Sequence, residues 1–174
     1  CGDNVYFILY TNGDIKLEGS GPMYESSSGS GVPWYQQKAV IKHAYIGKDI
    51  TTLSGYAFFR CSNLQTVVFE KVSKLEYVGK QEFLKDYSLK KIIFPDSVTT
   101  LGTYMFSSSG IETVVLPKGT TLIPTRLLEK CEKLTSVVVP ETVASIRSNA
   151  FIGSDNVVLN VIAGSYAEKW AIAN

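Results

Sequence analysis

The sequence is poor in the residues that most often mark a chemical site. It has one histidine and three cysteines among 174 residues, whereas a zinc site needs three or four such ligands. His43 has no second histidine or cysteine at ligand spacing. There is no Gly-x-Ser-x-Gly motif, neither Gly19-Ser20-Gly21 nor Gly29-Ser30-Gly31 extends into a phosphate-binding fingerprint, and no carboxylate pair stands out. The sequence therefore predicts a protein that is not an enzyme and needs no metal or cofactor.

The chain also lacks a surplus of charge of either sign. Its 17 basic and 16 acidic residues give a net charge of +1, which offers no electrostatic footprint for nucleic acid or an anionic membrane. No apolar run approaches the roughly 18 residues of a membrane-spanning helix. We therefore predict no nucleic-acid partner and no transmembrane segment. Five lysines cluster on or near the predicted return turns and are interpreted as a solvated surface: Lys85, Lys90, Lys91, Lys130 and Lys133.

What the sequence does contain is a period of about 23 residues. Large apolar side chains recur at intervals of 25, 23, 22 and 23 in the pairs Ala57-Phe58, Glu82-Phe83, Met105-Phe106, Leu127-Leu128 and Ala150-Phe151. A second series recurs at intervals of 25, 22, 23 and 23: Leu64, Leu89, Ile111, Leu134 and Val157. Fixed periods of this length belong to solenoids, whose units bury their apolar faces only by stacking on one another. The period predicts a repeat solenoid.

Each unit contains a short segment rich in β-branched residues, such as Leu64-Gln65-Thr66-Val67-Val68-Phe69. Such segments predict one strand per unit, and Pro95, Pro117 and Pro140 directly follow three of them, where proline ends a strand. Strands stacked at one per unit must be parallel. The sequence thus predicts a parallel sheet on one face and short helical or irregular turns on the other.

The two ends predict caps rather than repeats. Val5–Tyr10 and Asp14–Glu18 flank an Asn-Gly turn and predict a β-hairpin. Residues 19–33 are rich in Gly, Ser and Pro and predict a surface loop. At the other end, Ser165 and Glu168 fit a capping box for a short helix, with Tyr166, Ala167, Trp170 and Ala171 on one helical face.

Together these features predict a single domain over residues 1–174. A hairpin cap and loop occupy 1–33, a degenerate repeat 34–49, five repeats 50–163 and a capping helix 164–174. In the degenerate repeat, Tyr35 aligns with Phe58 and Ile41 with Leu64, each 23 residues earlier.

The cysteines do not predict a disulfide framework. Cys61 and Cys131 occupy the same repeat position three units apart, so stacking at ~4.8 Å separates them by roughly 14 Å, beyond the ~7 Å limit for a disulfide. We expect both to be small buried hydrophobic residues. Cys1 could pair near the cap, remain free or carry a lipid. The chain opens without methionine or a signal peptide, as expected of a mature or trimmed product.

Alternation along the strands predicts a candidate binding face. If Leu64, Val67 and Phe69 point into the core, Thr66 and Val68 point outward. Applied to every unit, this register gives an outward column of Tyr45, Val68, Ile93, Val115, Val138 and Val161, and a neighbouring column of His43, Thr66, Lys91, Thr113, Ser136 and Leu159. The first column would form an apolar ridge of roughly 25 Å, a common mark of an interaction site. The alternative is that β-branched residues simply favour strands.

The units resemble the BspA-type leucine-rich repeats. Residues 57–64, Ala-Phe-Phe-Arg-Cys-Ser-Asn-Leu, are similar to the Ala-Phe…Cys-Ser-x-Leu core of that family. The flanks resemble it too, at Cys1–Asn4, Gly19–Met23, Pro33–Tyr35 and Gly164–Glu168. Departures from the pattern include Glu82 and Met105 in place of alanine and Leu128 in place of phenylalanine.

The resemblance implies a secreted or surface-displayed bacterial protein, often host-associated, with roles in adhesion and protein binding. It also implies that Cys1 belongs to the folded cap rather than to a lipid anchor. The family shares no active site, so no catalytic residue is carried over. We expect a non-enzymatic extracellular module whose open sheet face binds a macromolecule, protein rather than glycan. The alternative is a structural spacer that displays other domains at the cell surface.

Overall fold

Residues 1–174 are all described by the structure, a computed structural model in which the chain winds through about five turns of a parallel β-solenoid. Its elements are listed in chain order: β1 Val5–Leu9, β2 Asp14–Gly19, β3 Gly21–Pro22, a 3-10 helix Tyr35–Val40, β4 His43–Ile46, β5 Ile50–Leu53, β6 Thr66–Phe69, β7 Tyr77–Val78, β8 Lys91–Ile93, β9 Thr100–Leu101, β10 Thr113–Val115, β11 Leu122–Ile123, β12 Ser136–Val138, β13 Ser145–Ile146, β14 Val158–Asn160 and α1 Tyr166–Ala173. The predicted solenoid, its parallel sheet and its C-terminal helix are confirmed.

The predicted strands form the first of two sheet faces. The hairpin β1–β2 is antiparallel, β2 pairs in parallel with β4, and β4 pairs with β6. The strands β8, β10, β12 and β14 continue in parallel. We call this set of strands the sheet face. It splits between β6 and β8, which are not joined by ladder hydrogen bonds.

The prediction of one strand per unit is wrong, because each unit contributes a second, shorter strand. These strands form two parallel ladders, β3-β5-β7-β9 and β11-β13. They are mostly two residues long, too short to show a period in the sequence. Most of the predicted surface loop at 19–33 is loop, since residues 23–33 contain no strand or helix. The departures from it are β3, which pairs with β5, and the buried residues Met23, Ser26 and Val32.

The return turns form a third wall, here called the return-turn face. Four successive turns each carry two residues with positive φ four positions apart, Tyr56/Arg60, Gln81/Lys85, Tyr104/Ser108 and Arg126/Lys130. The N–H groups of each turn donate to carbonyls of the next turn, as from Gln81 to Thr103 at 2.9 Å and from Phe106 to Leu127 at 2.9 Å. The turns are therefore irregular rather than helical, and the ladder offsets the cost of left-handed backbone.

The core is one cluster of 40 buried apolar residues. Its central stack consists of Trp34, Phe58, Phe83 and Phe106, with neighbouring ring centroids 6.1, 6.0 and 5.4 Å apart. The alignment of Tyr35 with Phe58 is wrong by one residue, because Trp34 takes that place and donates its indole N–H to the Ala57 carbonyl at 2.7 Å. Trp34 is the last ring of the stack, and its large side chain covers the otherwise exposed end of Phe58.

Both ends are capped. At the C-terminus, the Glu168 N–H donates to Ser165 Oγ at 3.1 Å, and the Gly164 N–H donates to Glu168 Oε2 at 2.7 Å. The helix α1 buries Ala167 and brings the Trp170 ring to 5.8 Å from Phe151. Tyr166, predicted on the same apolar face, is exposed instead.

Cys61 and Cys131 are buried and free, and Cys1 is half-buried and free.

Candidate functional site

The sheet face carries the column of apolar side chains that the alternating pattern indicates. Within β4, β6, β8, β10 and β12 the middle residues are buried, and their neighbours point outward. We call the following five residues the outer column: Tyr45, Val68, Ile93, Val115 and Val138. Tyr45 is half-buried, whereas Ile93 is 61% exposed and the three valines are 40–46% exposed. Partial exposure of β-branched residues on one face leaves apolar surface in contact with water.

A polar column runs beside it and consists of His43, Thr66, Lys91, Thr113 and Ser136. The register aligns His43 with Thr66 on one side of the split, and Lys91, Thr113 and Ser136 with one another on the other side. His43 Nδ1 lies 2.8 Å from Thr66 Oγ1, a hydrogen bond across two strands. The sheet face thus presents an apolar stripe bordered by hydroxyl, imidazole and ammonium groups.

The predicted register of the last strand is wrong. In β14, Val158 pairs with Ser136 and Asn160 pairs with Val138, so Asn160 rather than Val161 occupies the outward position. Leu159 and Val161 instead pack against the core. The unit has one residue fewer between Val157 and its strand than its neighbour has after Leu134. Shifting by one residue exchanges the two faces of a strand, and it places two apolar side chains inside and the amide of Asn160 outside.

The split between β6 and β8 divides the outer column and opens a cleft. Seven residues separate Phe69 from β7, whereas five separate Phe94 from β9. The longer loop, residues 70–76, borders a cleft of about 430 Å³ whose lining includes Phe69, Phe94, Ile93 and Val72. We call it the loop cleft. The sequence signal for it is the interval of 25 residues, the longest in both repeat series.

Val72 is the most exposed apolar residue of the loop cleft. It has φ +58° and a side chain that is 91% exposed. A β-branched residue is unfavourable in left-handed backbone, and an exposed valine gains nothing from burial. Sequence reasoning missed this residue, because neither its backbone nor its exposure follows from a local pattern.

Two carboxyl groups are buried beneath the return-turn face. Glu82 Oε2 accepts the Ala57 N–H at 3.1 Å, but its other oxygen has no hydrogen-bond partner. Burial raises the pKa of Glu82 well above its usual value, and the Ala57 hydrogen bond lowers it only in part.

Neither oxygen of Asp86 has a hydrogen-bond partner. Burial raises the pKa of Asp86 well above its usual value, and the nearby Glu82 charge adds to this effect. The N–H group of Cys61, which donates to the Phe58 carbonyl at 3.0 Å, opposes the shift only in part. Both carboxyl groups therefore favour the protonated, neutral form.

The buried cysteines have the character of unreactive thiols. Burial raises the pKa of Cys131 to about 11, and its thiol donates to the Phe106 carbonyl at 3.0 Å. Burial likewise raises the pKa of Cys61 well above its usual value. Since the thiolate is the nucleophile and the metal ligand, these groups serve packing.

No three His, Cys, Asp or Glu residues lie close enough together to hold a metal ion, and no helix has the length and apolar character to cross a membrane.

The repeat region of the chain matches a known protein family. Residues 34–158 match the family model described as the BspA type leucine-rich repeat region, in six copies. No curated protein matches the chain.

Several solved structures share the fold. A leucine-rich repeat protein from Eubacterium ventriosum has a TM-score of 0.84 and 20% identity over 92% of this chain and 42% of that chain. The T. pallidum leucine-rich repeat protein has a TM-score of 0.67 and 21% identity over 92% of this chain and 80% of its own. A leucine-rich cell surface protein from Faecalibacterium prausnitzii has a TM-score of 0.58 and 18% identity, covering 91% of this chain and 54% of that chain. The chain spans less than half of the E. ventriosum protein.

Proposed function

The chain belongs to the BspA-type leucine-rich repeat family, and from this premise we propose that it is a non-enzymatic binding module that engages a protein through its sheet face. The observation that carries the proposal is the outer column: four of its five residues are exposed apolar side chains. Apolar side chains held in register on a stiff sheet provide preformed contact surface, and little conformational entropy is lost when a partner binds.

The loop cleft also favours a protein as the partner, because it offers a concave site beside the flat surface of the outer column. Its volume of about 430 Å³ and the apolar side chains of Phe69, Val72 and Ile93 in an otherwise largely polar lining suit an anchor side chain, and such anchors supply most of the energy of protein interfaces. The polar column, which runs beside the outer column, offers hydrogen-bond donors and acceptors for the rim of the interface.

We place this module at the bacterial cell surface or outside the cell. The cell surface protein of F. prausnitzii has the same fold, which supports this location. Cys1 is half-buried, and its carbonyl accepts the Tyr24 N–H at 2.6 Å. These contacts support a role for Cys1 in the folded cap rather than as a lipid anchor.

A structural spacer is the second candidate. The return-turn face hydrogen-bonds every turn from Tyr56 to Ile152 to its neighbour, and two of the three structures above are about twice as long as this chain. A stiff, end-to-end bonded stack suits a spacer as well as a binder. The two functions differ in whether the sheet face is needed.

The proposed function is tested with substitutions on the outer column. Val68, Val115 and Val138 are replaced together by glutamate, and binding of the purified protein to an array of immobilised extracellular-matrix proteins is compared with wild type. The control variant carries glutamate at Ile152 and Ile172, which are exposed apolar residues outside the sheet face.

We expect the triple variant to lose at least about tenfold in affinity, because charge would be buried without a partner. Its melting temperature should change little, since all three side chains already contact water. The control should bind like wild type. Unchanged binding by the triple variant would reject the sheet face as the site and favour the spacer.

A further inference from the structure

A second cleft lies between the return turns and the sheet face and spans three consecutive units. It has a volume of about 350 Å³. Lys85 and Tyr87 come from the first unit, Lys130 and Lys133 from the third, and small residues including Gly110 line the part between them. We call it the lysine cleft. The lysine spacing alone favours a solvated surface, but the fold brings three of these lysines around one concavity.

The cleft owes its shape to the middle unit, which is one residue shorter than its neighbours. The Gly110 N–H donates to the Asp86 carbonyl at 3.0 Å. A Cβ atom at position 110 would lie 1.9 Å from the Tyr87 carbonyl oxygen, so only glycine permits this approach. The middle unit therefore presents small side chains between two units that carry lysines.

The cleft carries an excess of positive charge, because three lysines and one carboxylate, that of Glu132, line it. None of its three lysines forms an ion pair. Nearby acidic residues are engaged elsewhere, since Glu129 pairs with Arg126 at 3.3 Å and Glu112 pairs with Lys90 at 3.1 Å. The chain as a whole is nearly neutral, at +1. A concave surface with an excess of charge of one sign concentrates ligands of the opposite sign.

Two lining residues narrow the class of anion. Glu132 lies among the lysines, where it would repel a bare phosphate or sulfate but could accept hydrogen bonds from hydroxyl groups. Tyr87 is 56% exposed, and its ring offers apolar surface on which the C–H face of a sugar can pack. The volume is near the lower end of small-ligand pockets, about 300–1,000 Å³, which suits one sugar residue.

We propose that the lysine cleft binds an anionic sugar residue of a glycan. The lysine ammonium groups pair with its carboxylate or sulfate, Tyr87 packs against the ring, and Glu132 accepts from a hydroxyl. This site is separate from the outer column and takes a different class of ligand, so it goes beyond the protein-binding role proposed above.

The test is a titration of the isotope-labelled protein followed by backbone amide shifts. The probes are the methyl glycoside of N-acetylneuraminic acid, methyl galacturonide, neutral methyl galactoside, inorganic sulfate and an oligoglutamate peptide. We expect an acidic glycoside to shift amides around residues 108–110 and 130–133 with an affinity of about millimolar. Replacing Lys130 and Lys133 by glutamine should weaken it at least about tenfold.

Lys169→Gln is the matched control, because Lys169 is exposed on α1 and forms no ion pair. It should bind like wild type, and so should the triple glutamate variant of the outer column. Shifts absent up to tens of millimolar for both acidic glycosides would overturn the proposal. Equal shifts from methyl galactoside, sulfate or the peptide would also overturn it, because the site would then not select an anionic sugar. Loss of sugar binding would leave the sheet-face proposal untouched.

Discussion

The return-turn face and the sheet face of this solenoid respond differently to irregular repeat lengths. Within four turns of the return-turn face, the two positive-φ residues are always four positions apart, and each turn is hydrogen-bonded to the next. The sheet face splits between β6 and β8, next to the loop that is two residues longer. Insertions are therefore absorbed by the loops beside the sheet. The return turns therefore hold successive units together. The sheet face can vary in loop length and strand pairing, and it is free to carry function.

The aromatic stack of the return-turn face should give the largest effect on stability. The Phe83 ring is fully buried between Phe58 at 6.0 Å and Phe106 at 5.4 Å. We expect Phe83→Ala to lower the free energy of unfolding by about 3–5 kcal/mol, as measured by urea denaturation.

Phe69→Ala is the matched substitution on the sheet face. Phe69 is only partly buried and packs at 5.8 Å from Phe94 beside the split. We expect a loss of about 1–2 kcal/mol, since less apolar area is removed from the core. Equal losses for the two variants would contradict the idea that the return-turn face holds the units together.

Asp86 and Ser154 stand at the repeat position of Cys61 and Cys131, 25 residues after Cys61 and 23 residues after Cys131, but their side chains are hydrogen-bonded differently. Ser154 Oγ accepts the Cys131 N–H at 2.9 Å and donates to the Leu128 carbonyl at 2.6 Å. The carboxyl of Asp86 has no such bonds. We expect Asp86→Ser to raise the free energy of unfolding at neutral pH by about 1–3 kcal/mol, the usual cost of an unsatisfied buried polar group. Asp86→Ala, which removes the carboxyl group without supplying the hydrogen bonds of a serine, is the control and should gain less.

The same comparison predicts a pH dependence. The pKa values of Glu82 and Asp86 are raised in the folded protein, whereas in the unfolded chain carboxyl groups titrate near about 4. Between these values the folded state binds more protons than the unfolded state, so stability falls as pH rises above about 4 and levels off above the folded pKa values. The double variant Glu82→Gln/Asp86→Ser should flatten this slope in melting experiments across pH 4 to 8. An unchanged slope would mean that other groups control it.

The sequence predicted the parts of the fold that repeat and missed those that depend on neighbours. The Phe58–Phe83–Phe106 period and the capping box at Ser165 are local or periodic signals, and both are present in the structure. The place of Trp34 and the register of β14 each differ from the prediction by one residue. Trp34 packs on Phe58 where the period indicates Tyr35, and the last unit has one residue fewer before its strand, which exchanges the two faces of β14. The candidate columns followed from strand alternation, whereas the lysine cleft required knowing that residues 85, 110 and 130 meet across three units.

Val72 offers the smallest expected change in stability and the sharpest contrast between stability and function. Its left-handed backbone costs about 1 kcal/mol in a non-glycine residue, and its exposed side chain returns nothing to the fold. We expect Val72→Gly to stabilise the protein by about 1 kcal/mol, measured by urea denaturation, while Val72→Ala should gain less because alanine keeps a Cβ in that conformation. Backbone strain that packing does not explain is typical of functional positions. If the loop cleft receives a partner side chain, Val72→Gly should weaken that binding even as the fold becomes more stable. A gain in stability with undiminished binding would leave the sheet face as the site but remove Val72 from it.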